Sequence, residues 1–110
     1  MKKKKVSIPI FKGELVFIKD KNFKKVNKKY GYSIPESYGA VTFENESAKA
    51  FEYVVCFVDT NISLLAHEAV HVSNFVFKNI GVKLDLINDE VQAYFVGWIV
   101  DEMINFLNEK

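Results

Sequence analysis

The first sixty residues alternate between apolar and polar side chains in short runs, a pattern typical of β-strands. Residues 6–10 and 14–19 form two such runs around the segment Phe-Lys-Gly, which predicts a β-hairpin. Residues 21–30 instead place apolar side chains at helical spacing and end before a glycine, which predicts a short helix. Residues 33–39 hold a proline and a glycine and are expected to form a loop.

Two further strands are predicted at residues 41–44 and 51–59, on either side of a polar turn. The second of them, Phe-Glu-Tyr-Val-Val-Cys-Phe-Val-Asp, is almost continuously apolar and rich in β-branched residues. Such a composition is typical of a strand with both faces covered. We therefore expect residues 51–59 to lie centrally and residues 41–44 to form an edge of the sheet.

After Asn61 the apolar residues recur at the spacing of a helix. Residues 62–79 contain no proline or glycine, and Asn61 and Gly81 are the expected N-cap and C′ residues. Apolar side chains surround this segment on almost every side, which predicts a buried helix. A second helix is expected to begin near Asn88, with acidic residues in its first turn, and to continue to the C-terminus.

The element order ββαββαα predicts a single α+β domain over residues 1–110, with a small, mostly antiparallel sheet. Apolar residues make up 49% of the chain, enough for one modest core. The only cysteine, Cys56, lies in an apolar run, so no disulfide forms within the chain and a reducing compartment is expected. The N-terminal apolar run is too short for a secretory signal, and no stretch could span a bilayer. We expect a cytoplasmic protein with no membrane partner.

Charge is distributed unevenly along the chain. Residues 1–29 hold eleven lysines and two acidic residues, whereas residues 30–110 hold four lysines and twelve acidic residues. A basic segment of this kind is a solvated surface or a contact for nucleic acid or an acidic partner. Every basic residue is a lysine, and the absence of arginine argues against sequence-specific DNA recognition. The solvated surface is the preferred interpretation.

The strongest chemical signal is the pentapeptide His-Glu-Ala-Val-His, which contains the only two histidines, His67 and His71. Residues four apart on a helix differ by about 40° around the axis and about 6 Å along it, so both imidazoles project from one face. Two imidazoles so placed can bind one Zn²⁺. Glu68 lies about 100° further round, where it can act as a general base on a metal-bound water. This is the complete H-E-x-x-H arrangement of zincin metallopeptidases.

The alternative is an ordinary histidine pair on a helix. On a buried helix it would require partners for four ring nitrogens, which is costly. A catalytic zinc has three protein ligands, so a third ligand of another type is needed. Asn74 stands where the metzincin pattern has glycine, and no third histidine exists. Cys56 is a candidate but belongs to a strand expected to be buried. Glu90, in the first turn of the next helix, is preferred, with Asp89 as the close competitor.

One face of the last helix supports this choice. Glu90, Tyr94, Gly97 and Asp101 follow helical steps of four, three and four residues. We expect this face to point inward, with Gly97 allowing the two C-terminal helices to approach closely. Asp101 would then hydrogen-bond a ligand imidazole. Simple exposure of Asp101 is the preferred alternative.

The motif, followed by Asn-Asp-Glu-Val-Gln-Ala-Tyr on the next helix, resembles the gluzincin pattern, in which a downstream glutamate completes two histidines. Its spacing is similar to that of thermolysin-like enzymes, and Asp-Glu-x-x-Ala-Tyr resembles small phage-borne and phage-like zincin domains. The resemblance covers roughly residues 50–105. It implies a minimal zincin-like fold, His67, His71 and Glu90 as zinc ligands, and Glu68 as the base.

The chain departs from the thermolysin pattern in two respects. Tyr94 stands where thermolysin-like enzymes have an aspartate four residues after the third ligand, and no histidine is left to stabilise the transition state. Tyr94, Tyr53 or Tyr38 could donate a hydrogen bond to the oxyanion, with Tyr94 the chosen candidate. A packing role is the preferred interpretation for each tyrosine.

Three functions are consistent with these features. The leading expectation is a zinc-dependent metallopeptidase that cleaves a peptide or protein substrate. The second is a non-catalytic zincin-fold binding protein, such as a phage accessory factor, which would act in the host cytoplasm. The third is a nucleic-acid-associated protein that uses the lysine-rich first third of the chain.

Overall fold

The computed structural model describes residues 1–110 and contains four strands and three helices in the predicted order. The elements are β1 (Lys2–Ser7), β2 (Glu14–Lys19), α1 (Lys24–Tyr30), β3 (Ala40–Glu44), β4 (Glu52–Phe57), α2 (Ile62–Ile80) and α3 (Glu90–Asn108). The predicted α+β class is therefore confirmed. None of the helices combines the length and the apolar character that a membrane crossing requires.

The strands form one mixed sheet in the order β1-β2-β4-β3. The outer pairs, β1 with β2 and β3 with β4, are antiparallel, and the two central strands are parallel. Parallel neighbours need a crossover connection, which α1 and β3 provide between β2 and β4. The central position of β4 and the edge position of β3 are as predicted.

The first strand lies closer to the N-terminus than predicted. Residues 6–10 are the expected strand, whereas β1 is the lysine run Lys2–Ser7 and the chain turns at Pro9 and Ile10. The run can form a strand because β1 is an edge, and its residues alternate between half-buried and exposed. Lysines at a sheet edge also oppose pairing with another chain.

Two hydrophobic clusters lie on the two faces of the sheet. α2 and α3 cover one face, where sixteen buried residues include Phe17 and Ile99. α1 covers the other face, where seven buried residues include Phe23 and Cys56. β4 contributes to both clusters, which explains its uninterrupted apolar run.

Local signals set the helix ends. Gly31 and Gly81 follow α1 and α2 in the left-handed conformation, with φ of 76° and 78°. Asn61 occupies the N-cap position of α2, but its side chain donates to Asp59 and makes no capping bond. Asp89 occupies the N-cap position of α3, so that helix starts slightly later than predicted.

α2 is buried on one face only, which contradicts the prediction of a helix enclosed on all sides. Its buried residues are Leu65, Glu68, Ala69, Val72, Ser73, Val76 and Phe77. The opposite side, which includes His67, Val70 and His71, is exposed. The sheet and α3 contact adjacent sides of α2 and no element covers the rest, so even apolar Val70 remains 43% exposed. The histidines therefore need no buried partners.

α3 also packs through a different face from the one predicted. Its buried residues are Phe95, Ile99, Met103 and Phe106. The face that carries Glu90, Tyr94, Gly97 and Asp101 points to solvent, and a Cβ on Gly97 would meet no atom within 4 Å. The prediction of an inward Gly97 face is wrong. Both faces have helical spacing, and the one with four large apolar side chains is buried because it removes more apolar area from water.

Candidate functional site

His67 and His71 lie one turn apart on the exposed side of α2. Their Nε2 atoms are 3.1 Å from each other, and the two ring planes meet at 74°. Two nitrogen ligands of a tetrahedral Zn²⁺, each about 2.0–2.1 Å from the ion, lie about 3.4 Å from each other. The two Nε2 atoms are therefore close to the spacing at which they would share one ion.

Glu68 is the buried member of the motif, with 4% of its surface exposed. Its Oε1 atom accepts a hydrogen bond of 2.8 Å from the Thr42 hydroxyl. Its Oε2 atom lies 4.0 Å from Nε2 of His67 and has no hydrogen-bond donor from the protein. Since every fully buried side-chain oxygen or nitrogen has a partner, Oε2 keeps contact with solvent beside the imidazole. One oxygen is thus held while the other is free to accept a proton.

Thr42 is the site residue that sequence reasoning missed. It lies in edge strand β3 opposite Val55, on the sheet face that α2 covers. A hydroxyl at a strand position that faces a helical layer requires a polar partner, which here is Glu68. That requirement is the one signal by which Thr42 could have been found.

The structure does not bring Glu90 or Asp89 to the histidines. Both carboxylates are exposed at the start of α3, and no group of three or more His, Cys, Asp or Glu side chains is arranged to hold a metal ion. The two regions are linked through Gln92, which donates to Oδ1 of Asn74 at 2.9 Å. Asn74 follows His71 by three residues, about one turn along α2. The first turn of α3 thus lies beside the histidine-bearing part of α2 without a carboxylate in contact.

The other candidate ligands and donors lie apart from the histidines. Cys56 is buried on the opposite face of the sheet, and burial raises the pKa of its thiol to about 12. Tyr94 is 77% exposed, and Tyr38 is exposed as well. Tyr53 is buried and its hydroxyl accepts a hydrogen bond from Asn79, which is a packing role. Asp101 is exposed, in line with the preferred interpretation.

The histidine pair occupies an open surface. A cavity of about 530 Å³ lies near the other end of α2, where Asn79, Tyr53 and Phe51 contribute to its lining, and it contains no residue of the motif. His67 and His71 are exposed on α2 and do not line this cavity.

No protein-family model, curated protein or solved structure matches this chain. The class that the structure itself defines is a small α+β domain with a mixed four-stranded sheet and three helices. Its distinguishing feature is an exposed His-x-x-x-His pair next to a buried, hydrogen-bonded glutamate.

Proposed function

We propose that this protein is a zinc-dependent metallopeptidase of the zincin type, with His67 and His71 as zinc ligands. The observation that carries the proposal is the 3.1 Å approach of the two Nε2 atoms beside the solvent-contacting oxygen of Glu68. Histidine nitrogen is a preferred zinc ligand, so the donor set fits the ion.

Glu68 and Thr42 have different roles in the proposed hydrolysis. Bound zinc would supply Lewis-acid polarisation of the scissile carbonyl and lower the pKa of a water molecule. Glu68 accepts the proton of the attacking water at Oε2 and returns it to the leaving amine. Thr42 holds Oε1 and so directs Oε2 toward the histidines.

The substrate in this proposal is an extended peptide segment. β3 is an edge strand, so the main-chain groups on its outer side are open to pairing with an added strand. Because Thr42 joins β3 to Glu68, a peptide paired with β3 would run past the base and the two imidazoles.

Glu90 is our proposed third ligand, with Asp89 as the alternative. All residues from 81 to 90 are exposed, so the loop before α3 and the first residue of α3 are not held in the core. Gln92 keeps this turn next to Asn74, one turn beyond His71. In this proposal the first turn of α3 moves when zinc binds and brings a carboxylate to the histidines.

Zinc stoichiometry and affinity test the ligand set independently of activity. We expect equimolar zinc in the purified wild-type protein, loss of zinc in His67→Ala and His71→Ala, and weaker binding in Glu90→Gln. Asp101→Asn, on the same face of α3, is the matched control and should bind zinc like the wild type. If Asp89→Asn weakens binding and Glu90→Gln does not, Asp89 is the ligand.

Peptide cleavage tests the reaction itself. Glu68→Gln should keep zinc and lose cleavage of a mixed peptide library, because the amide cannot accept the proton. A wild-type protein that takes up no zinc, and whose thermal unfolding is unaffected by a chelator, would refute the proposal.

A zinc-binding protein without catalytic turnover is the second candidate. It is favoured by the open setting of the histidines, since the His67 side chain is 64% exposed. This candidate predicts zinc uptake by the wild type with no cleavage of any library peptide, and a Glu68→Gln variant that matches the wild type.

A further inference from the structure

The lysines of the first third of the chain divide between the two faces of the sheet. Strand alternation places Lys2 and Lys4 on the side of α2 and α3. Lys2 donates to the main-chain carbonyls of Phe106 and Glu109, and Lys4 pairs with the Glu109 carboxylate. These two lysines balance the negative end of α3, so the fold accounts for them.

The remaining lysines gather on the opposite side of the sheet. Lys3 and Lys5 share a strand face with Val16 and Ile18, which α1 covers. α1 itself carries four lysines in seven residues, and Val26 is its only buried residue. The exposed lysines of this side that form no ion pair make up what we term the basic face: Lys3, Lys21, Lys24, Lys25, Lys28 and Lys29.

None of these six lysines forms an ion pair within the chain. The neighbouring Lys29 side chain, through hydrogen bonding, together with partial burial and the positive charge of Lys29, lowers the pKa of Lys3. The negative charge of Glu52 acts to raise the pKa of both lysines. Glu52 itself pairs with Lys5 and accepts a hydrogen bond from Asn45. A cluster of like charges outside any ion pair attracts a polyanion.

The surroundings of the basic face favour single-stranded nucleic acid as that polyanion. Tyr32 follows the C-cap residue Gly31 of α1, is 43% exposed and packs on Phe43 with ring centroids 4.7 Å apart. An exposed aromatic ring that follows a lysine-rich helix can stack on an unpaired base. The aliphatic side chains that could insert into a bilayer, such as Leu86 and Ile87, lie in the loop between α2 and α3, which pack on the other face of the sheet.

We propose that the basic face binds single-stranded DNA or RNA without sequence preference, with α1 and Lys3 contacting phosphates and Tyr32 stacking on a base. Lysine serves as a point-charge phosphate contact, and the absence of arginine removes the bidentate contacts that read guanine. The basic face and the histidine pair lie on opposite sides of the sheet, so this inference does not depend on the proposed peptidase activity.

Fluorescence anisotropy with the full chain and a labelled oligothymidylate of about 20 nucleotides tests the proposal. Between about 20 and 200 mM salt we expect log affinity to fall linearly with log salt concentration. Replacing Lys24, Lys25, Lys28 and Lys29 together by glutamine should weaken binding and make this slope shallower by about 3, at about 0.7 per phosphate contact. A control that removes two lysines on the other side of the sheet, Lys78→Gln with Lys83→Gln, should leave both quantities unchanged.

A second variant separates stacking from charge. Tyr32→Ala should reduce affinity about tenfold with an unchanged salt slope, because stacking releases no counterions. Glutamine is a good helix former, and circular dichroism melting would verify that the lysine variant is folded. The proposal is overturned if the wild type does not bind the oligonucleotide at low salt, or if the lysine variant binds like the control. Binding to phosphatidylserine vesicles with none to the oligonucleotide would assign the face to membranes and also overturn it.

Discussion

Two contacts of Glu68 fit its proposed role as a general base. Thr42 fixes Oε1 at 2.8 Å, which sets the direction of the second oxygen. The carboxylate is otherwise enclosed, yet Oε2 keeps solvent contact 4.0 Å from the His67 imidazole. Thr42 is the only side chain that donates a hydrogen bond to Glu68, so it acts as a positioning residue for the proposed base.

Cys56 should make stability fall at alkaline pH. Burial raises the pKa of its thiol from the usual 9.0 to about 12. Above about pH 9 the unfolded chain loses this proton while the folded chain keeps it, so the unfolded state is favoured as pH rises. From this group alone we expect the free energy of unfolding to drop by up to about 1.4 kcal/mol per pH unit above pH 9, until the folded thiol also ionises.

Urea denaturation of the wild type and Cys56→Ala across alkaline pH would measure this effect. Burial also raises the pKa of Tyr30 and Tyr53, which contributes in the same direction in both proteins. The difference between the two stability curves therefore isolates the thiol. Curves that run parallel above pH 9 would contradict the prediction.

Among the elements, those with local signals could be predicted from the sequence and those set by packing could not. α2 ends at Gly81 because the chain there adopts φ of 78°, a requirement visible in the sequence. β4 was recognisable as central because its apolar run has no polar face. β1 was misplaced because four consecutive lysines carry no alternation, and only pairing with β2 makes them a strand.

The helical spacing in α3 predicts a helix correctly, but it does not predict which side of that helix is buried. Its Glu90 face and its Ile99 face both repeat at helical spacing, and the sequence alone does not state which one meets α2. The sequence predicts Gly97 as a contact point between the helices, whereas a Cβ at this position would meet no atom within 4 Å. Burial of large apolar side chains decides the orientation of α3, and a glycine is a weaker indicator of where two helices meet.

Gly97→Ala should stabilise the protein. An exposed glycine inside a helix costs about 0.5–1 kcal/mol relative to alanine, and the new methyl group meets no atom within 4 Å. We expect the free energy of unfolding to rise by that amount in a urea titration.

Gly31→Ala is the matched comparison. It also has no atom within 4 Å of an added Cβ, but its φ is 76°, where an L-residue is strained by about 1–2 kcal/mol. Gly31→Ala should therefore destabilise the protein. A loss of stability in Gly97→Ala would show that another molecule or segment packs against this face of α3.

For the whole molecule, the sheet separates two chemically different surfaces. The His-Glu-x-x-His helix lies on one face, and the basic face lies on the other. The motif could be predicted because its members are neighbours on one helix, and the approach of their Nε2 atoms follows from the four-residue spacing. The proposed third ligand depends on how α3 is placed against α2, and no local sequence pattern predicts this relation between two distant segments.

The two proposed sites should be thermodynamically independent. Sites that share no partner and lie well apart usually couple by less than about 0.5 kcal/mol, a factor of about two in affinity. We therefore expect zinc to leave the oligonucleotide affinity and its salt slope unchanged within that factor, and the lysine variant to bind zinc like the wild type. The anisotropy titration, repeated with zinc and with a chelator, measures the first effect.

The His67→Ala, His71→Ala double variant controls for zinc that binds the oligonucleotide directly. If zinc changes the oligonucleotide affinity of the wild type but not that of this variant, the two sites are coupled through the sheet. Linkage then requires the oligonucleotide to change zinc affinity by the same factor, which a zinc titration with and without oligonucleotide would detect. Such reciprocal coupling would mean that the elements on both faces shift together, and that nucleic acid regulates the proposed metal site.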